Sequence, residues 1–488
     1  MPSTHETMNG INTFSFICTV SFMLLVSILL FGLKSKARNF HENLDNVRVE
    51  KRNRIVPFFY IPPSSSKQSG IPEQDLHRSL ERYKDDVDKM ISALILSRDI
   101  AIKTEWDVYL DDVARSKMDN LLSLKLEERI KETAQILERD YLFLQNVLKP
   151  IPFTLSLPFK ESDWYEIWSE SDKTSAYDSA MQIITHIVRD WSKEGRASRE
   201  SLYNWSIQQL LKYRSFDDGP VLVPGAGLGR LAHDISETGY IVEANELSLC
   251  MSVVAHKFLH NEIEKGVVHP FSLDFFINEV KTVDRYQAVA YPDLENDFIE
   301  HLVSQKKSPM GYLSYTVGDF TEIYSQPVVR SSFAAVVTCF FIDTATNIFE
   351  YLLVIRNSLK LGGVWINVGP LQWHSNAVLH PSGDELRLII QSLGFSVLSW
   401  SVDKEAINYR HDDTKEDTRY TKFEGYKPLR FVVKLMSEVD SLKMENVAEQ
   451  ISRIRFRRYA NQTNFRPHAR NQEWQDDHRI NVTITEIS

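Results

Sequence analysis

Val221-Leu-Val-Pro-Gly-Ala-Gly-Leu-Gly-Arg230 decides the fold. A short apolar run stops at Pro224, three glycines follow at spacing two, and a helical pattern begins. The reading is a buried strand, a tight turn and a helix start. Glycine suits such a turn because the backbone needs unusual angles and a ligand must lie against bare backbone. The glycines are Gly225, Gly227 and Gly229. The dinucleotide fingerprint places its third glycine one residue later, which disfavours a nicotinamide-dependent oxidoreductase. No Gly-Lys-Ser/Thr follows, so a triphosphate-binding loop is excluded. The compressed form suits a nucleoside ligand without a pyrophosphate, and S-adenosylmethionine is the natural candidate.

Outward from this turn, strands and helices alternate. Strands are read at Val221–Val223, Tyr240–Asn245, Leu313–Val317, Ala334–Phe340, Val364–Gly369, Ser396–Ser401 and Arg430–Leu435. Helices are read at Gly229–Glu237, Leu247–Asn261, Asn347–Leu359 and Gly383–Leu393. Alternation of this kind means an α/β, doubly wound, mostly parallel seven-stranded sheet. Ligands then bind outside the carboxyl ends of the strands. Upstream, apolar residues recur at spacings of three and four from Leu76 to Leu94, and a second helical stretch runs from Glu105 to Leu148. Two more helices are expected between Ser175 and Tyr213, parted near Gly195. The organisation read from these patterns is a tail over 1–13, a membrane anchor over 14–33 and a disordered linker over 34–72. A helical subdomain over 73–215, the α/β domain over 216–438 and a polar tail over 439–488 follow.

Composition sets the outer limits. The chain has 488 residues and a net charge of −10, which argues against nucleic acid as the main partner. Cys18, Cys250 and Cys339 are scattered, so neither a disulfide framework nor a zinc site is indicated, and no metal ligand is singled out. Phe14 to Leu33 is 20 residues without a charge, and a spanning helix needs ~20 apolar residues. Lys34, Lys36 and Arg38 follow it, so the segment is read as a single-pass anchor with everything after it in the cytoplasm. Without insertion the chain would belong to the cytosol or nucleus.

The candidate chemistry lies at the strand ends. The strand after the glycine turn ends in Asn245-Glu246, where a carboxylate about 20 residues on can accept ribose hydroxyls. The next ends in Gly318-Asp319-Phe320, where Asp319 can meet an adenine amine while Phe320 packs the base; a turn aspartate beside a core phenylalanine is the plainer alternative. The run Thr338-Cys339-Phe340-Phe341-Ile342-Asp343-Thr344 is apolar until Asp343, which emerges facing the cleft or else caps the helix from Asn347. Gly369-Pro-Leu-Gln-Trp-His374 follows another strand and sets His374 on the ligand side, for structure or for catalysis.

These motifs together resemble the carnosine N-methyltransferase family. The matching stretches are Arg189-Asp190-Trp191-Ser192, Val221 to Arg230, Asn245-Glu246, Tyr291-Pro292-Asp293, Gly318-Asp319-Phe320, Thr338 to Thr344 and Gly362 to His374. They run in order across roughly 172 to 435. The resemblance implies a Rossmann-like methyltransferase sheet with an N-terminal helical subdomain. It implies that Arg189, Gly225, Glu246, Asp319, Phe320 and Cys339 occupy cofactor-pocket positions, Arg189 at the cofactor carboxylate. It implies that Asp343 and His374 hold an imidazole-bearing substrate, and a homodimer. His186 stands where the family has glutamine, and of a family run of tyrosines only Tyr426 remains.

The expected function is methyl transfer from S-adenosylmethionine to the imidazole of carnosine, giving anserine, or of a related histidine-containing peptide. In that reading Asp343 accepts a hydrogen bond from the other ring N–H, while His374 and Tyr426 orient the substrate. The alternatives are a protein histidine or another small amine as acceptor, and a membrane-tethered interaction protein of the same fold.

Overall fold

The computed structural model describes residues 56–60, 73–103, 112–151, 180–273, 281–305, 309–408 and 425–436, with Val447 and Ile451. All belong to one compact unit that begins at Val56. Two long helices come first, α1 (Glu73–Lys103) and α2 (Asp112–Val147). Next come α3 (Ala180–Trp191) and, after a turn of helix at Arg196–Arg199 and a π-helical turn at Glu200–Asn204, α4 (Trp205–Tyr213).

The glycine-turn strand is the middle of the main sheet. Counting strands along the chain, β1 is Phe58–Tyr60, β2 Val221–Pro224, β3 Ile241–Glu246, β4 Gly266–Val268, β5 Val289–Tyr291 and β6 Tyr312–Val317. β7 is Phe333–Cys339, β8 Leu359–Gly369, β9 Phe395–Val402, β10 Ile407–Asn408, β11 Gly425–Tyr426 and β12 Leu429–Leu435. The sheet order is β1-β6-β3-β2-β7-β8-β12-β9; β4 pairs with β5 and β10 with β11. β12 runs antiparallel to both its neighbours, and the pairs from β1 to β8 are parallel. The chain leaves β2 for β3 and β6, then returns to β2's other side as β7 and β8. A doubly wound sheet opens its ligand crevice at such a reversal.

Side-chain alternation along each strand supplies two cores. Val221, Val223, Ala335, Val337, Val364, Ile366 and Val432 face one side, where they pack with residues of α1 to α4 such as Tyr83, Leu137, Ile184 and Leu210. Leu222, Val336, Trp365, Phe431 and Val433 face the other, with Ile348, Leu352, Ile390, Val447 and Ile451. The N-terminal helices therefore share the sheet's core rather than enclosing one of their own. Apart from a single α-helical turn at Thr282–Arg285 and a few 3₁₀ turns, the remaining helices among the described residues are α5 (Arg230–Glu237), α6 (Leu249–Leu259), α7 (Asp297–Gln305), α8 (Phe320–Tyr324), α9 (Ile348–Ser358) and α10 (Gly383–Ser392).

Two expectations are revised. The sheet has eight strands rather than seven, because Phe58–Tyr60, inside the expected linker over 34–72, pairs in parallel with Tyr315–Val317 at the sheet edge. Phe58 is only 2% exposed and stacks on Tyr315 at 4.6 Å, so burial of one aromatic ring recruits a stretch whose proline and serine content suggested linker. The membrane placement is also corrected. Among the described residues no helix is long and apolar enough to cross a membrane, and the expected anchor at 14–33 lies outside them. Most of the tail over 439–488 lies outside them as well, although Val447 and Ile451 are buried.

Candidate active site

The turn after β2 uses its glycines as the spacing requires. Gly225, Gly227 and Gly229 have φ of 63°, 55° and 80°, a region that side chains disfavour. A methyl group on Gly225 would run into the Phe341 ring, and one on Gly227 would lie 3.1 Å from His186 Nδ1 and 3.3 Å from Arg189 Nη2. The loop is held from outside. Tyr315 Oη donates to Gly227 O at 2.5 Å, and Gly227 N donates to Glu246 Oε2 at 2.9 Å.

Glu246 ends β3 beside that loop. Its other oxygen accepts from Ser248 N at 2.9 Å, so backbone N–H groups on both sides fix the carboxylate. Burial raises its pKa above the usual glutamate value, while those hydrogen bonds pull the other way. Each carboxylate oxygen keeps a further lone pair that can accept from a hydroxyl. Across β3, Asp319 ends β6 and caps α8. Its Oδ1 accepts from Thr321 N at 2.7 Å, Thr321 Oγ1 at 2.6 Å and Glu322 N at 3.1 Å. These bonds all fall on Oδ1, which leaves Oδ2 for a ligand donor. Phe320 is buried, edge-on to Phe341 at 5.2 Å. The turn-aspartate reading is thus correct for one oxygen, and Phe320 forms an apolar wall.

On α3, Arg189 lies against the glycine loop. Its Nε and Nη2 donate to the two oxygens of Asp190, at 2.7 and 3.1 Å, and Nη2 also donates to His186 Nδ1 at 2.8 Å. A guanidinium can only donate, so Nδ1 carries no proton. Burial, helped by the Arg189 charge, lowers the His186 pKa to about 3 and keeps the ring neutral. Tyr203 Oη donates to Asp190 Oδ1 at 2.7 Å and completes the group. Burial alone would raise the Asp190 pKa, but the Arg189 charge and hydrogen bonds bring it below the usual range. Arg189 thus keeps its cation in a buried place beside bare backbone, with the Asp190 carboxylate as its counter-charge.

The other wall is built from the ends of β7 and β8. Cys339 closes β7, and burial pushes its thiol up to about 12, so it is a neutral lining group and no nucleophile. Phe340 follows with φ 52°, a strained conformation for an aromatic residue. Gly369 at the end of β8 makes room for it, since a Cβ there would lie 2.9 Å from Phe340 N. The Phe340 ring stands edge-on to Tyr426 at 5.9 Å and 75°, which brings the short β10–β11 pair to the same end of the sheet. Asp343 sits in the next turn, 5% exposed. It does not cap α9, because Asn347 accepts from Phe349 N at 3.1 Å and takes that task. Asp343 Oδ2 accepts from Gln372 N at 3.2 Å, and its backbone oxygen accepts from His374 N at 3.2 Å. Burial raises the Asp343 pKa to about 6 and lowers that of His374, which is half-buried.

All the residues singled out in the sequence therefore stand at the carboxyl ends of β2, β3, β6, β7 and β8, on α3 beside them, or on β11. The sequence reading passed over Tyr203, Tyr315, Phe340 and Phe341. Phe340 and Phe341 lie in an apolar run and Tyr203 and Tyr315 among mixed residues, and nothing local separates a ring that braces a loop from one that fills a core.

A family model for carnosine N-methyltransferase matches residues 167–436, more than half of the chain. "Carnosine N-methyltransferase unmet" of Drosophila melanogaster is 32% identical over 256 residues, 50% of this chain and 52% of that one. The carnosine N-methyltransferase of Mus musculus is 33% identical over 242 residues (47% and 57%), and that of Schizosaccharomyces pombe 35% over 236 (44% and 61%). The chain spans a little over half the length of these curated relatives. Among solved structures, a putative methyltransferase of Haloferax volcanii in complex with its Trm112 activator aligns at 14% identity and TM-score 0.31, over 50% of this chain and 93% of that one. The fold assignment rests on the strand order itself. With the glycine turn, the strand-end carboxylates and the match through residue 436 taken together, the chain belongs to the carnosine N-methyltransferase family.

Proposed function

We propose that this protein is an S-adenosylmethionine-dependent N-methyltransferase acting on the imidazole of carnosine or a closely related histidine-containing peptide. The observation that carries the reading is Asp343: a buried carboxylate, uncommitted to helix capping, set between strand ends a few residues beyond the glycine-loop wall.

The residues present fit the cofactor. Gly225 to Gly229 offer bare backbone, Glu246 has lone pairs for ribose hydroxyls, and Asp319 Oδ2 with Phe320 suits an adenine amine and ring. Arg189, Gly227 and Cys339 border the remaining end, where the amino-acid moiety belongs. When bound, S-adenosylmethionine supplies an electrophilic methyl carbon on a sulfonium.

The chain's part is positioning, which can lower a barrier by several kcal/mol when two reactants are held in line (about 7–11 kcal/mol at best). A neutral imidazole is already nucleophilic near pH 7, since its unperturbed pKa is ~6.5. Ionised Asp343 accepts the N–H of the nitrogen that does not react. This selects one tautomer, raises the electron density of the other nitrogen and stabilises the positive charge that develops on the ring. His374, neutral because burial lowers its pKa, and Tyr426 then border the substrate without adding positive charge. The loss of the other tyrosines favours a second acceptor class, a histidine in a longer peptide or protein. The test is a comparison of carnosine, histidine-containing peptides and whole protein extract as acceptors for labelled methyl. Saturable transfer to carnosine supports the reading, and transfer to protein alone moves it to the second class.

A further inference from the structure

We propose that His256, His260 and Glu262 form a site for one divalent transition-metal ion of the zinc class, at the joint between the end of α6 and the edge strand β1. One ligand atom from each of the three lies within 4.8 Å of the other two. His256 and His260 are four residues apart on a helical stretch, the spacing that brings two rings to one face, and their centroids are 4.0 Å apart.

A second observation points to a ligand. His256 is 7% exposed and its buried Nδ1 has no hydrogen-bond partner among the described residues. Glu262 Oε1 stands 3.8 Å away, beyond hydrogen-bond reach. A buried polar nitrogen without a partner is uncommon, and an absent ion is one of its ordinary explanations. Glu262 is exposed and its Oε2 pairs with Lys257 Nζ at 2.7 Å, so Oε1 is the oxygen left to face an ion. His260 Nδ1 donates to His256 O at 2.9 Å, and Nε2 accepts from Val56 N at 3.2 Å. Its bare lone pair is therefore at Nε2, and coordination there replaces the Val56 contact. Two imidazoles and a carboxylate suit zinc, with water in the fourth position.

The place in the fold suggests what the ion does. Phe58 of β1 meets His256 edge-on at 4.9 Å and stacks on Tyr315, whose hydroxyl holds Gly227 O. An ion here would pin the edge strand against α6 and brace the glycine loop from behind, away from the strand ends of the candidate active site. The inference does not depend on the methyl-transfer reading.

The test uses the full chain after chelation and dialysis. Calorimetry with Zn²⁺ and visible absorption with Co²⁺ should each report one ion per chain. Glu262→Gln, at an exposed position, should weaken Zn²⁺ binding at least tenfold and abolish the Co²⁺ band, and His256→Gln should do the same. Zn²⁺ should also raise the melting temperature of the parent chain and not that of Glu262→Gln. Absence of one-to-one binding, or unchanged affinity in Glu262→Gln, overturns the proposal even if His256→Gln does not fold.

Discussion

Asp343→Asn should make the protein more stable and nearly inactive. Burial raises the Asp343 pKa from 3.8 to about 6. Each unit corresponds to about 1.4 kcal/mol, so the folded state disfavours the ionised carboxylate by about 3 kcal/mol. Between those two values the folded protein binds the proton more tightly than the unfolded chain. The group's stabilising contribution is therefore complete below pH 3.8, falls as pH rises to about 6, and is gone above that. Asparagine has no charge to desolvate and can still accept from Gln372 N, although its new N–H₂ needs a partner. A gain of about 1–3 kcal/mol at pH 7.5 is expected, seen as a rise of a few degrees in melting temperature. Cofactor affinity should be unchanged and turnover should fall about 10²–10⁴-fold. Thermal melts of parent and variant from pH 5 to 8, with methyl-transfer rates on the same samples, decide it. A variant of equal or lower stability at every pH, or one with near-parental turnover, would refute the reasoning.

Other outcomes follow from the same geometry. With Asp343 near pKa 6 and a substrate imidazole near ~6.5, kcat/KM should climb from pH 5 and level off above pH 7, with one of the two steps missing in Asp343→Asn; a flat profile in the parent chain contradicts this. Gly227→Ala places a side chain at φ 55° and 3.1 Å from His186 Nδ1, so S-adenosylmethionine binding measured by calorimetry should weaken at least tenfold, and stability should drop by about 1–2 kcal/mol. Asp293 accepts from Arg196 Nε at 3.0 Å and from Arg199 Nη2 at 2.7 Å; Asp293→Ala leaves buried Arg199 without its carboxylate, and denaturant titration should show a loss of about 3–5 kcal/mol. His186→Gln should keep the acceptor for Arg189 Nη2 and leave cofactor affinity within about threefold, whereas His186→Leu should lower it; equal affinities would remove His186 from the pocket.

Where residue chemistry was local, the sequence was readable. The seven strands from Val221 to Leu435 and the helices between them follow from apolar runs broken by glycine, and their ends agree with the structure to within about two residues at most positions. Gly225 to Gly229 announced their own backbone angles. Asp343 could be placed because it is the first acidic group after an apolar strand, and Glu246 because it ends the strand that follows the glycine turn. What was illegible depends on partners far away in the chain. Phe58–Tyr60 becomes a strand only because β6 offers a free edge and Tyr315 offers a ring to stack on. Asp319 commits one oxygen to the cap of α8 and leaves the other outside those bonds, which no sequence pattern encodes. Tyr203, from the π-helical turn, and Arg189, from α3, meet at Asp190, and this match of charge and hydroxyl appears only in three dimensions. The apolar segment over 14–33 was read from its length without charge and its basic flank, a weak warrant for insertion when its residues include serine and threonine.

The most direct test of the central claim is methyl transfer itself. The full chain, labelled S-adenosylmethionine and carnosine should yield a product carrying the label on one imidazole ring nitrogen, at a rate that Asp343→Asn reduces at least a hundredfold. Label on the terminal amine, or no transfer to any imidazole by a chain that binds S-adenosylmethionine, would contradict the account.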